Sequence, residues 1–309
     1  MSQARPAAAV PRYVPLSDIT QSEDLPAMPF RRRLAVAAAP LVRPGRLQEA
    51  AFGRAYARVA AGQSQRAVRY EAAERLFGST LLIGIDPARL EHQLIDTVRA
   101  GAEATRLSHW FLDRGDWSGA LVRLGDSDVG REIDAVFDHA EQPEEAPAFR
   151  ALLAHAEAGH AQVRNGLALA DAATIRAYFA HNAALRASIE RDGLKPRSEV
   201  AARTARAFSG SAVRSRKAER LERDIGIAIG AEGEPIRMIG GHHRTAIARR
   251  LGLPRIPVQI RLVHAEWLRG WISRTGLGPA RALAEGLRGL SAALLAALSG
   301  LTPVLERLT

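Results

Sequence analysis

The chain has 309 residues and a mass of 33.3 kDa, enough to bury one large core or two modest ones, and its 47% apolar and 25% charged residues exclude disorder over most of its length. Cysteine is absent, which removes disulfides, thiolate metal ligands and cysteine nucleophiles together. The formal net charge of +10 brings nucleic acid forward as a partner.

Residues 1–45 are rich in Ala, Pro and Arg; Pro6, Pro11, Pro15 and the run Arg31-Arg32-Arg33 read as an extended or partly ordered arm rather than a secretory signal. Residues 46–173 read as a mostly helical region with one early strand. Apolar positions from Phe52 to Leu76 predict two helices broken near Gly62. Leu81 to Ile85 is a strand that can join the core, stopped by Asp86-Pro87, and with Asp86 as cap a helix is expected through Ala100. Further helices are expected at Asp128–Asp138, Ala146–Ala158 and Thr174–Asp192, the last closed by Gly193. Residues 197–223 are basic and poor in apolar side chains, a solvated helix face or a loop. Ile225, Ile227 and Ile229, the turn Gly230 to Pro235, and Ile236 to Ile239 predict a β-hairpin. Gly240-Gly241 leads into a helix through Leu251, and Ile256, Val258, Ile260 and Leu262 alternate as a last strand. Helices are expected over 265–309, where Leu283, Leu287, Leu290, Leu294, Leu298 and Leu301 form a narrow stripe suited to docking on the domain or to a homodimer. The apolar run Leu290–Leu301 is too short for a bilayer, and a cytoplasmic protein is expected.

The charge is unevenly placed. Residues 101–150 carry 5 basic and 11 acidic side chains, and 201–250 carry 11 basic and 5 acidic. Lys195 and Lys217 are the only lysines among 43 basic residues, a compositional bias that accounts for part of the excess.

The sharpest local pattern is Gly240-Gly241-His242-His243-Arg244-Thr245, at a strand-to-helix turn. Two glycines allow positive φ and close backbone approach, and the free amides of the helix start favour an anion. Arg244 adds a fork matched to phosphate, and His242 and His243 can donate hydrogen bonds or move a proton. A plain glycine turn with polar residues at a helix start fits the same spacing.

The run Met238 to Ala248, continued by Leu251-Gly252-Leu253 and Ile256-Pro257-Val258, resembles the signature of the ParB/sulfiredoxin superfamily. Leu185 to Leu194, with Ser188-Ile189 and Gly193, is similar to the helix that precedes the next strand in ParB-like domains. The resemblance covers about 174–264. It implies an α+β fold, a ParB/sulfiredoxin-like mixed-sheet core with helical N-terminal and C-terminal elaborations. It also implies a nucleotide (ATP, ADP or CTP, with Mg²⁺) held by Gly240, Gly241, His242, His243, Arg244 and Thr245. His242 stands where sulfiredoxins have their cysteine and ParB proteins a Glu, and Gly240 replaces an Asp of small-molecule members. Without cysteine, sulfinate chemistry is excluded. Gly115-Asp116-Trp117, followed by acidic helices, is similar to ParB-like proteins of surface-polysaccharide clusters.

The resemblance implies phosphoryl transfer to a hydroxylated small molecule or glycan-related acceptor. His243 is the phosphate ligand and catalytic candidate, with Asp116, Glu190 or Asp192 as base. Helix-end solubility explains Glu190 and Asp192 equally, and a Trp-anchored turn explains Asp116. His264, Glu266 and Trp267 follow the final strand, where a capping His and a packed Trp account for them as readily as a site. His155 and His160 are wrongly spaced for a shared helix face, so no dedicated metal site is expected. The alternatives are a nucleotide-gated DNA-binding protein using Arg203, Arg206, Arg214, Arg216, Lys217, Arg220 and Arg223, and a scaffold without catalysis.

Overall fold

The computed structural model describes residues 10–16, 45–164, 167–196, 199 and 224–291. In chain order the strands are β1 (Val14–Pro15), β2 (Arg66–Arg69), β3 (Leu82–Ile85), β4 (His92–Leu94), β5 (Thr97–Ala100), β6 (Glu103–Arg106), β7 (Trp110–Asp113), β8 (Leu121–Arg123), β9 (Val163–Arg164), β10 (Leu167–Ala168), β11 (Ile225–Ile229), β12 (Pro235–Ile239) and β13 (Ile256–His264). The helices are α1 (Arg46–Ala60), α2 (Tyr70–Phe77), α3 (Asp128–Asp138), α4 (Pro147–Glu157), α5 (Ala172–Asp192), α6 (His242–Arg250), α7 (Ala265–Thr275) and α8 (279–291). The class is α+β.

The main sheet runs β2-β7-β13-β11-β12-β4-β8. Its centre is the expected hairpin: β11 and β12 pair antiparallel, and the turn closes with the Gly230 amide on the Glu234 carbonyl at 2.9 Å, with Gly233 at φ 89°. All five β11 residues are buried, as expected of a strand covered on both faces. On its other side β11 pairs parallel with β13. The far edge of β13 is shared by two strands. Ile256 to Gln259 pair antiparallel with β3, and Val263 and His264 pair parallel with β7. The 81–85 strand therefore does join this sheet.

One face of the sheet buries Ile225, Ile227, Ile229, Val258 and Ile260 against Phe52 and Val59 of α1, Trp267 of α7, and Leu283 and Leu287 of α8. The opposite face buries Ala228, Ile236, Met238 and Leu262 against Val98 of a small sheet ordered β1-β5-β6 and against Leu107, in the turn that follows it. A third cluster holds α3, α4 and α5 together through Val136, Phe149, Leu152, Ile175 and Phe179. Val129, Ile133 and Ile189 meet Ile247 and so fasten that helical group to α6.

The region 46–173 is richer in strand than the sequence suggests, since β2 to β10 all lie within it. The helix expected through Ala100 is the clearest difference. Asp86 does cap a turn, accepting from the Ala88 amide at 2.8 Å, but the turn stops at Arg89. Leu90 and Leu94 stand four apart and mimic a helical face, whereas Thr97-Val98 is β-branched and Gly101 at φ 63° turns β5 back on β6. The leucine stripe packs on its own chain where it is described: Leu283 and Leu287 are fully buried and Leu290 is packed beside them. Leu294, Leu298 and Leu301 lie outside the described residues, as do the arginine run 31–33 and most of the basic segment 197–223. Among the described residues no helix is long and apolar enough to cross a membrane.

Candidate functional site

The Gly240-Gly241 turn joins β12 to α6 with both glycines at positive φ, 68° and 57°. A Cβ on Gly241 would come within 2.4 Å of Ile225 Cγ1 and 3.3 Å of Arg244 Nη2, so both conformation and space demand glycine there. Gly241 is the N-cap of α6 and has no side chain with which to satisfy the first amides. Thr245 is fully buried, and its amide and hydroxyl both donate to the Gly241 carbonyl, at 2.8 and 2.9 Å. Thr245 therefore shapes the turn from within rather than facing a ligand.

Beneath the turn lies Arg237 of β12, only 3% exposed. Its Nη2 donates to the Gly240 carbonyl at 3.0 Å, and its Nε and Nη1 have no hydrogen-bond partner. Burial pulls its pKa down to about 9, which still leaves it charged at neutral pH. A buried cation with no counter-anion is costly, and the turn above it adds the positive end of a helix.

The two histidines face different ways. His242 Nε2 lies 2.6 Å from Gln93 Oε1 of β4, so the nitrogen donates and Nδ1 keeps the lone pair. Burial, then repulsion from Arg237, His243 and Arg164, lowers its pKa to about 3. His243 Nε2 lies 2.6 Å from the Tyr178 hydroxyl of α5, and Tyr178 donates to Glu132 Oε2 of α3 at 2.5 Å. Arg164 completes the chain, its Nη2 2.7 Å from Glu132 Oε1. Since Tyr178 has a single proton and gives it to Glu132, His243 must donate through Nε2. Burial, then repulsion from His181, Arg164 and Arg237, lowers the His243 pKa to about 4.

A groove of about 350 Å³ runs from His242 along α6, walled on the other side by the start of α3 and lined by Leu124, Gly125, Gly130, Ala246 and Arg249. His242 borders this groove, while His243 is turned into the helical group. His243, expected as phosphate ligand and catalytic group, is committed by its hydrogen bond to Tyr178 to anchoring α6, and His242 is the histidine that borders the groove.

The other expected catalytic residues lie elsewhere. Asp116 lines a separate cleft of about 470 Å³ with Trp117, Glu234, His264 and Glu266, at the hairpin-turn end of β12. That is the opposite end of β12 from Gly240, about 16 Å away for its five residues. Glu190 is exposed, and twelve residues along α5 set it about 18 Å from Tyr178. Neither reaches a group held at the turn. In the second cleft His264 donates from Nε2 to the Gly115 carbonyl at 3.2 Å and accepts from the Glu266 amide at 3.3 Å, which makes it the cap of α7. Trp117 donates to the fully buried Asp113 carboxylate at 2.8 Å, which also accepts from Tyr13 and the Gly115 amide, each at 2.5 Å.

Arg237, Gln93, Tyr178, Glu132 and Arg164 carry no motif, and only one signal pointed to any of them: Arg237 interrupts an otherwise apolar strand two residues before Ile239. Among the described residues no group of three His, Cys, Asp or Glu could hold a metal ion. Comparison with family models, with curated proteins and with solved structures finds no match to this chain.

Proposed function

We propose that this protein binds a nucleotide by its phosphates at the Gly240-Gly241 turn and transfers a phosphoryl group to a hydroxylated small molecule or glycan-related acceptor. The observation that carries the reading is Arg237, a charged guanidinium buried below the turn with two nitrogen atoms unpartnered. A phosphate at the turn supplies the missing negative charge, and the resemblance of Met238 to Ala248 to ParB/sulfiredoxin-like phosphate cradles agrees with it. Phosphoryl transfer asks mainly for positioning and charge neutralisation, which the turn amides, Arg237 and the α6 dipole provide.

His242 is the proton acceptor of this reading. Its Nδ1 lone pair is free because Nε2–H is committed to Gln93. A pKa near 3 makes it a poor base alone, but a phosphate dianion offsets the repulsion from Arg237, so its proton affinity rises when the nucleotide arrives. The acceptor oxygen then bonds to the terminal phosphorus, the bond to the bridging oxygen breaks, and the acceptor proton passes to Nδ1. Mg²⁺ bound with a nucleotide would draw its ligands from phosphates and water and neutralise their charge.

The test is Arg237→Met. Removing an uncompensated buried cation raises the melting temperature of the unliganded protein. The same substitution lowers affinity for Mg-ATP, Mg-ADP or Mg-CTP in calorimetry by at least about tenfold, the size of a lost charged hydrogen bond. Unchanged affinity for every nucleotide, or no binding by the unaltered protein, overturns the proposal.

A further inference from the structure

The α3/α6 groove is the feature the phosphate reading leaves unused. It opens at His242, the first residue of α6, and reaches Arg249 and Arg250, about 10 Å further along the helix. Its volume of about 350 Å³ is at the small-molecule end of ligand pockets and too small for a polymer segment. Its walls are low, with Gly125 and Gly130 on one side and Ala246 on the other, over Leu124. Such a slot accepts a flat apolar body. At its far end the Arg249 side chain makes no hydrogen bond or ion pair among the described residues, and the Asp134 carboxylate lies no closer than 4.0 Å to Arg250. A guanidinium fork recognises ring nitrogen and carbonyl acceptors, and a carboxylate accepts from sugar hydroxyls.

We infer that the groove between α3 and α6 is the slot for the nucleoside of the ligand whose phosphates sit at the Gly240-Gly241 turn, with Arg249 reading the base and Asp134 the ribose. The inference rests on the phosphate reading, and on the two unpartnered nitrogens of Arg237, which fix the anionic end at the Gly240-Gly241 turn beside His242. It assigns α3, which lies outside the stretch of resemblance, a wall of the binding site. Gly125 is the position at which to plug the slot: a Cβ there meets nothing within 4 Å, so a larger residue fills the groove without crowding the fold.

The experiment is calorimetric titration of the full chain with inorganic tripolyphosphate and with ATP, GTP and CTP, each with Mg²⁺, for the unaltered protein, Gly125→Leu and Arg249→Ala. At least one nucleotide should bind about tenfold or more tightly than tripolyphosphate, a difference of 1.4 kcal/mol. Both variants should remove that advantage while leaving tripolyphosphate affinity within about twofold, since neither residue touches the turn. Equal affinity for tripolyphosphate and all nucleotides, or a nucleotide advantage that survives both substitutions, overturns the nucleoside slot and leaves the phosphate site standing. Failure of tripolyphosphate and nucleotides alike to bind overturns both.

Discussion

At the level of single residues, protonation separates the two adjacent histidines from ordinary surface imidazoles. Both are held neutral by burial, His242 with a pKa near 3 and His243 near 4, against 6.5 for the free side chain. The folded state therefore binds fewer protons than the unfolded chain below about pH 6.5. Stability from this source is complete above that pH and falls as pH drops towards 4, by about 2 kcal/mol per histidine at pH 5. Asp113 works in the opposite sense, because burial raises its carboxyl pKa and the folded state holds that proton more readily. Urea denaturation at pH 7 and pH 5 should show the midpoint falling, and His243→Asn should flatten the fall; a midpoint independent of pH in the unaltered protein contradicts the neutral, buried pair. The identity of this pair was legible in the sequence, since two glycines before two histidines at a strand end announce a special turn. Which histidine faces outward was not legible, because it depends on Tyr178 and Gln93, 65 and 149 residues away in the chain.

Between elements, the Arg164–Glu132–Tyr178–His243 chain ties α6 to α3, α5 and the β9 strand. Its members are mutually dependent, because Glu132 is 3% exposed and balances Arg164. Glu132→Gln leaves Arg164 only the more exposed Asp128, 3.5 Å from its Nη2, and should cost about 2 kcal/mol, while Tyr178→Phe strands one donor and one acceptor and should cost about 2 kcal/mol. Chemical denaturation measures both, and a double variant losing no more than Glu132→Gln alone would show that the chain acts as one unit. Helices α3 and α5 and the β11–β12 hairpin were readable from period and turn residues. The strands β4 and β5 were not, since Leu90 and Leu94 copy helical spacing over a segment whose pairing partners, β12 and β6, decide its conformation.

Across the whole molecule, the two clefts sit towards opposite ends of β12, one bordered by His242, Arg249, Arg250 and Asp134, the other by Asp116, Glu234, Glu266 and Arg114. The net charge of +10 pointed to nucleic acid, and only diffusely. The cation on which the proposed phosphate site rests is a single buried arginine that no charge count distinguishes from its neighbours. The stretch 174–264, which the resemblance marks as a core, is not self-sufficient in the structure: β13 needs β3 and β7, and β12 needs β4. A fragment of residues 174–264 should accordingly lack a cooperative thermal transition in circular dichroism, and a sharp transition would show that those outer strands are dispensable.

The divided edge of β13 also sets an order of events during synthesis. Strands β3 and β7 leave the ribosome more than 140 residues before the segment that completes them, so their edges wait unpaired while α3, α4 and α5 are free to fold locally. The helical group is thus the natural early product, and the sheet closes last, around a strand that arrives with the Gly240-Gly241 turn already attached to it.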